Sequence, residues 1–178
     1  MRLLTYSGRT MAPMAPKAAD IVIEDIAHAL AHQCRFGGHA MDFYSVAQHS
    51  VYVSRVVPPH AALWALLHDA SEAYIADIPT PLKRLPVMAP YRAVEAQMQT
   101  CCFHAFGLLG DVPPAVADAD QALLILEAEA LFHPAPAWTQ ALRQQRGPLP
   151  TLTITPVPPP VAKRAFLHRF HALTDGQA

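Results

Sequence analysis

Residues 61–83, AALWALLHDASEAYIADIPTPLK, decide how this chain reads. The block from Ala61 to Leu67 is uniformly apolar, which predicts a buried helix running to about Ala76, and the prolines of DIPTPLKRLP then break it. His68, Asp69 and Glu72 enter where that block ends. Ionised carboxylates are costly beside so apolar a stretch unless something compensates them, and one bound cation compensates several at once. On a helix His68 and Asp69 occupy rows about 100 degrees apart, with Glu72 one turn on, so all three are expected on one side of the element. Alone, a His-Asp pair is common and reads as a half-solvated helix end. A metal held firmly needs more ligands, from elsewhere in the chain.

Upstream, the helix announced by YSVAQHS (44–50) starts with Ser45 and Gln48, the reciprocal capping pair, and ends at Pro58-Pro59. His49 lies in its first turns with Val46 and Val53 beside it, so its ring is expected to point inward; taken alone it reads as a core histidine. Before that, DIVIEDIAHALAHQC (20–34) has apolar residues at helical spacing and Glu24 and Asp25 in its first turn, and is expected to stop near Arg35-Phe36-Gly37-Gly38. Downstream, helices are expected over Tyr91 to Leu108 and Pro114 to Phe132, the latter with proline in its first turn. Asp120 enters this last apolar helix with Leu124 and Glu127 at i+4 and i+7. Asp118 competes with it on the opposite face, and periodicity does not choose between them.

Residues 1–19 read as an irregular arm, and residues 133–160 as a proline-rich, nearly structureless segment in which TLTIT could pair briefly as an edge strand. Residues 161–173 read as a closing helix. The whole chain, 1–178, is thus expected to be one all-α domain of five to six helices, with no strand-helix alternation and no internal repeat.

Composition narrows the function. The 178 residues are 52% hydrophobic and 15% charged, with a net charge of -1, so no electrostatic footprint for a nucleic-acid polymer or an anionic membrane exists. No stretch approaches the roughly 18 apolar residues that span a bilayer, and the start lacks an apolar signal core. Cys34, Cys101 and Cys102 form neither a disulfide framework nor a zinc knot, and a cytoplasmic location is expected. His28 and His32, one turn apart, lack the glutamate a metalloprotease would show and read as packed or solvated histidines.

The order His49, then His68-Asp69 within HDASEAYIADIPTPLK, then Asp120 resembles the HD superfamily of metal-dependent phosphohydrolases, above all its small 5′-deoxynucleotidase branch and bacterial and phage HD hydrolases with RF-G-GH and YSVAQHS segments. The resemblance covers about residues 20 to 131. It implies His49, His68, Asp69 and Asp120 as the ligands of one divalent metal, and it favours Asp120 over Asp118. Glu72 and Asp77 resemble the family's active-site acids. Arg35 matches the arginine of the substrate pocket, and Phe36 stands where the deoxynucleotidases commonly have Trp. Lys83 is a second candidate for phosphate, against its reading as a solvated loop charge.

A mixed nitrogen and oxygen shell suits Mn, Co, Fe or Zn better than Mg or Ca. The expected reaction is phosphate release from a small-molecule nucleotide, a deoxyribonucleoside 5′-monophosphate first. Triphosphohydrolysis of a deoxynucleoside triphosphate is the alternative, and a nucleotide-binding module without turnover the second alternative. A homodimer or higher homo-oligomer is expected.

Overall fold

The structure is a computed structural model and describes residues 2–175. It is built from helices, with one two-stranded hairpin in place of a wholly irregular arm. In that hairpin β1 (Leu3–Leu4) pairs antiparallel with β2 (Thr10–Met11), Leu3 opposite Met11. It forms because Met11 is fully buried and anchors the arm on the core.

The helices are α1 (Ile23–His32), α2 (Val46–Val56), α3 (Ala62–Leu66), α4 (Glu72–Ile75), α5 (Thr80–Lys83), α6 (Ala89–Ala105), α7 (Pro114–Leu131), α8 (Ala137–Arg146) and α9 (Pro159–Thr174). Their buried stripes meet in one core that includes Ile26, Leu30, Val53, Leu66, Leu123 and Phe166. Helix α2 sits at the centre, against α1, α3, α7 and α9. Most of its residues are buried, among them His49 and Gln48, which makes it the element around which the polar site is assembled. The closing helix α9 is tied down by Arg169, which donates from Nε to Ser54 Oγ (3.1 Å) and from its terminal nitrogen to Ser54 O (2.8 Å) at the end of α2.

Nine α-helices stand among the described residues where five to six were expected, because short elements split off at breaks and in the proline-rich stretch. Beyond this and the hairpin, four expectations are corrected. The helix through residues 61–76 is not continuous: α3 ends at Leu66, α4 begins at Glu72, and His68-Asp69 lie in the joint between them. The cause is Gln99 of α6, whose Nε2 donates to Leu67 O (2.7 Å) while its Oε1 accepts from Ser71 N–H (2.9 Å). One side chain satisfies a carbonyl and an amide of the break, groups that would be costly left unpaired.

Second, Ser45 Oγ caps α2 by accepting from Gln48 N–H (3.1 Å), but the Gln48 side chain does not return to Ser45. Its Nε2 donates to Thr155 O (2.6 Å) and its Oε1 accepts from Val157 N–H (3.1 Å). Third, that clamp holds residues 151–158 as a single segment outside any sheet, so TLTIT is not an edge strand. Fourth, residues 133–160 are not structureless. They contain α8, which packs on α7 and is tied to it by the Arg143 to Glu129 ion pair (2.5 Å).

Candidate metal centre

Three elements bring four of the predicted ligands to one point. Helix α2 supplies His49, the joint between α3 and α4 supplies His68 and Asp69, and α7 supplies Asp120. His49 Nε2 lies 3.3 Å from His68 Nε2, and Asp69 Oδ2 lies 3.2 Å from His68 Nε2 and 3.9 Å from His49 Nε2. His49, His68 and Asp69 form a group whose ligand atoms all lie within 4.8 Å of one another, close enough to hold a metal ion. Asp120 Oδ1 joins it at 3.0 Å from His49 Nε2 and 3.9 Å from His68 Nε2. Asp118, by contrast, is 77% exposed at its side chain and faces Arg146.

The tautomers are set by what the far side of each ring touches. His68 Nδ1 is 2.8 Å from Ala65 O, an acceptor only, so that nitrogen carries the hydrogen. His49 Nδ1 is 2.7 Å from Glu127 Oε1, and Glu127 is held below the usual carboxylate range: burial opposes this, but His49, Arg35 and the bond from Tyr44 outweigh it. Both Nε2 lone pairs therefore face the same small space. Two imidazole lone pairs at 3.3 Å repel unless a proton or a cation lies between them, and the donor set of two imidazoles and two carboxylates fits a divalent transition metal. Without a metal the compensation falls on a proton. Burial and Arg35 oppose charging His49, yet Glu127 and Asp120 raise it to about 9.

Glu127 is the residue the sequence reading did not single out for this role. It is fully buried on α7 and uses both oxygens: Oε1 accepts from His49 Nδ1 and from Tyr44 OH (2.9 Å), and Oε2 accepts from Arg35 (3.0 Å). A buried carboxylate behind a ligating histidine fixes its ring and raises its basicity. The available signal was the face Asp120, Leu124, Glu127 at i, i+4 and i+7, which places both acids toward α2.

Glu72, Asp77 and Lys83 come together beside this centre. Lys83 Nζ is 2.6 Å from Glu95 Oε1, 3.6 Å from Glu72 Oε1 and 3.9 Å from Asp77 Oδ1. It is thus not a solvated loop charge: it pairs with Glu95 and lies between Glu72 and Asp77. Glu72 is buried, and burial together with Asp69 and Asp77 raises its carboxyl to about 10 against the opposing pull of Lys83 and Arg35. Arg35 spends one terminal nitrogen on Glu127, and its buried Nε has no partner among the described residues.

Two backbone outliers flank the same place. Phe36 has φ 54 and ψ 29, and Ala76, immediately before Asp77, has φ 66 and ψ 160. Positive φ on a residue with a Cβ costs about 1–3 kcal/mol, and such strain persists where the surroundings over-determine it. The two residues turn the chain so that Phe36 and Asp77 line a cavity of about 860 Å³ shared with Arg35, Asp69, Glu72, Lys83 and Asp120.

Fold and site together define a mostly helical protein with a largely buried histidine and carboxylate cluster that could hold a metal ion. No family model matches the sequence. The Escherichia coli K12 protein named uncharacterized protein YfdR is 36% identical over 177 residues, covering 96% of this chain and 94% of its own. The Rhodobacter capsulatus protein named uncharacterized protein RCAP_rcc00048 is 34% identical over 182 residues, covering 94% of this chain and 92% of its own. The chain belongs to the family of these two proteins. Among the described residues no helix is long and apolar enough to cross a membrane.

Proposed function

We propose that this chain is a divalent-metal-dependent phosphohydrolase of the HD type that releases phosphate from nucleotides, deoxyribonucleoside 5′-monophosphates first. The observation that carries the reading is the convergence of His49, His68, Asp69 and Asp120, whose two aspartates line a cavity together with Glu72, Asp77 and Arg35.

A divalent cation held by the four ligands supplies Lewis-acid activation of water and charge stabilisation on a phosphoryl group. The chain's own residues do the rest. Glu127 and Ala65 O keep both Nε2 atoms aimed at one point. Asp77, across Lys83 from Glu72, takes a proton from the attacking water in this reading, and Glu72, whose raised carboxyl keeps its proton, gives one to the leaving oxygen. Arg35, anchored by Glu127 at one end, offers remaining donors at the cavity wall, a geometry suited to an anionic oxygen. Since Lys83 is engaged with three carboxylates, Arg35 is the cation of the cavity best placed for phosphate. One such cation fits a monophosphate better than a triphosphate.

The test is metal-stripped protein supplied in turn with Mn, Co, Zn or Mg and given ribo- and deoxyribonucleoside mono- and triphosphates. Orthophosphate from deoxynucleoside monophosphates supports the proposal. Tripolyphosphate from triphosphates replaces it with the triphosphohydrolase, and silence with every metal favours a binding module.

A further inference from the structure

We propose that Trp138 on α8 is the specificity-determining residue that recognises an aromatic base, stacking on it in the cavity that Asp69 and Asp120 of the candidate metal centre also line. The proposal rests on the nucleotide phosphohydrolase reading and names the residue that separates a nucleotide from a bare sugar phosphate.

The cavity is divided by chemistry. Its lining includes the acids Asp69, Glu72 and Asp120 and the aromatic residues Phe36, Phe132 and Trp138. Phe36 and Phe132 meet edge to face, with ring centres 5.2 Å apart, and brace each other. Trp138 is different. It is 42% exposed, whereas the chain's other tryptophan, Trp64, is buried against Phe103. It is also an outlier in its own helix, AWTQALRQQR, whose remaining outward residues are mostly polar. A large indole left 42% exposed, in the lining of a cavity that two phenyl rings also line, offers a flat apolar face to a ligand.

Helix α8 is not a loose flap, so that face has a fixed position. Thr139 Oγ1 donates to Pro136 O (2.9 Å) at its start. Arg143 pairs with Glu129, and Arg146 donates to Gln121 Oε1 and Asp118 O (2.5 Å each), all three on α7. The same helix α7 carries Asp120. The stacking face and the metal centre are therefore registered to one rigid element, as positioning of a two-ended substrate requires. Every base has a π-face, so stacking discriminates base from no base while tolerating purine and pyrimidine alike.

The experiment compares deoxyadenosine 5′-monophosphate with deoxyribose 5-phosphate, using metal-loaded wild type, Trp138→Ala and Trp138→Phe. The ratio of the two kcat/KM values is expected to fall about five- to a hundredfold in Trp138→Ala, through KM, the range expected for loss of one base-aromatic stack. Trp138→Phe is expected to recover most of it. Deoxyadenosine 5′-monophosphate is also expected to quench wild-type tryptophan fluorescence, and Trp138→Phe to lose that quench. An unchanged ratio in Trp138→Ala, or no quench in wild type, overturns the proposal. A quench that depends on Trp138 in a protein that hydrolyses neither compound upholds the stacking site and defeats the phosphohydrolase reading instead.

Discussion

Two pairs of histidines show what distinguishes a candidate metal site here. His28 and His32 lie one turn apart on α1, with ring centres 4.3 Å apart; His49 and His68 come from different elements, with ring centres 5.2 Å apart. The closer pair is the poorer site. His32 donates Nδ1–H to His28 O (2.8 Å), and His28 stacks on Tyr6 at 3.8 Å, beneath a Lys163 ammonium that sits over that same tyrosine ring at 3.9 Å. Burial, His32 and Lys163 all lower His28. In the more distant pair each Nδ1 is committed to an acceptor behind it, each Nε2 faces the other, and two carboxylates close the gap. Ring proximity is cheap on a helix. Converging lone pairs backed by a buried acid require three elements to be positioned at once.

Substitutions can break that contrast. Asp69→Ala is expected to remove stoichiometric metal binding and phosphate release together, while His28→Ala with His32→Ala leaves metal content at the wild-type value, both read by elemental analysis. Glu127→Gln, which weakens the acceptor behind His49 without emptying its space, is expected to lower metal affinity about 10- to 100-fold in a competition titration. Glu72→Gln is expected to keep metal bound while turnover drops by about 10²–10⁴, separating the proton-handling acid from the ligands. Gln99→Leu removes both bonds that clamp the joint at Leu67 and Ser71, and is expected to cost about 1–3 kcal/mol in denaturant unfolding. The smallest effect belongs to Ala76→Gly, which relieves a positive φ and is expected to stabilise by about 1 kcal/mol in the same assay.

The helices were legible where apolar spacing runs unbroken, as in α1, α7 and α9, or is joined by a cap, as in α2. The residues of the candidate metal centre were legible because histidines and acids stand out within apolar runs such as that before His68. The break between α3 and α4 was not, since the partner that terminates α3 is Gln99, a residue from another helix that nothing local announces. Helix α8 was hidden by the prolines around it, although Pro136 before and Gly147 after are themselves start and stop signals. Glu127 was hidden for a different reason. Its partners Arg35 and Tyr44 lie more than eighty residues away in the chain, so its role exists only after α2 and α7 pack.

The most direct test is a titration of metal-stripped protein with Co²⁺, following ligand-field absorption, with bound metal counted after desalting, in wild type and Asp69→Ala. The account predicts one tightly bound ion per chain in wild type and none in the variant. Absence of stoichiometric binding in wild type, or binding that survives unchanged in Asp69→Ala, would contradict it.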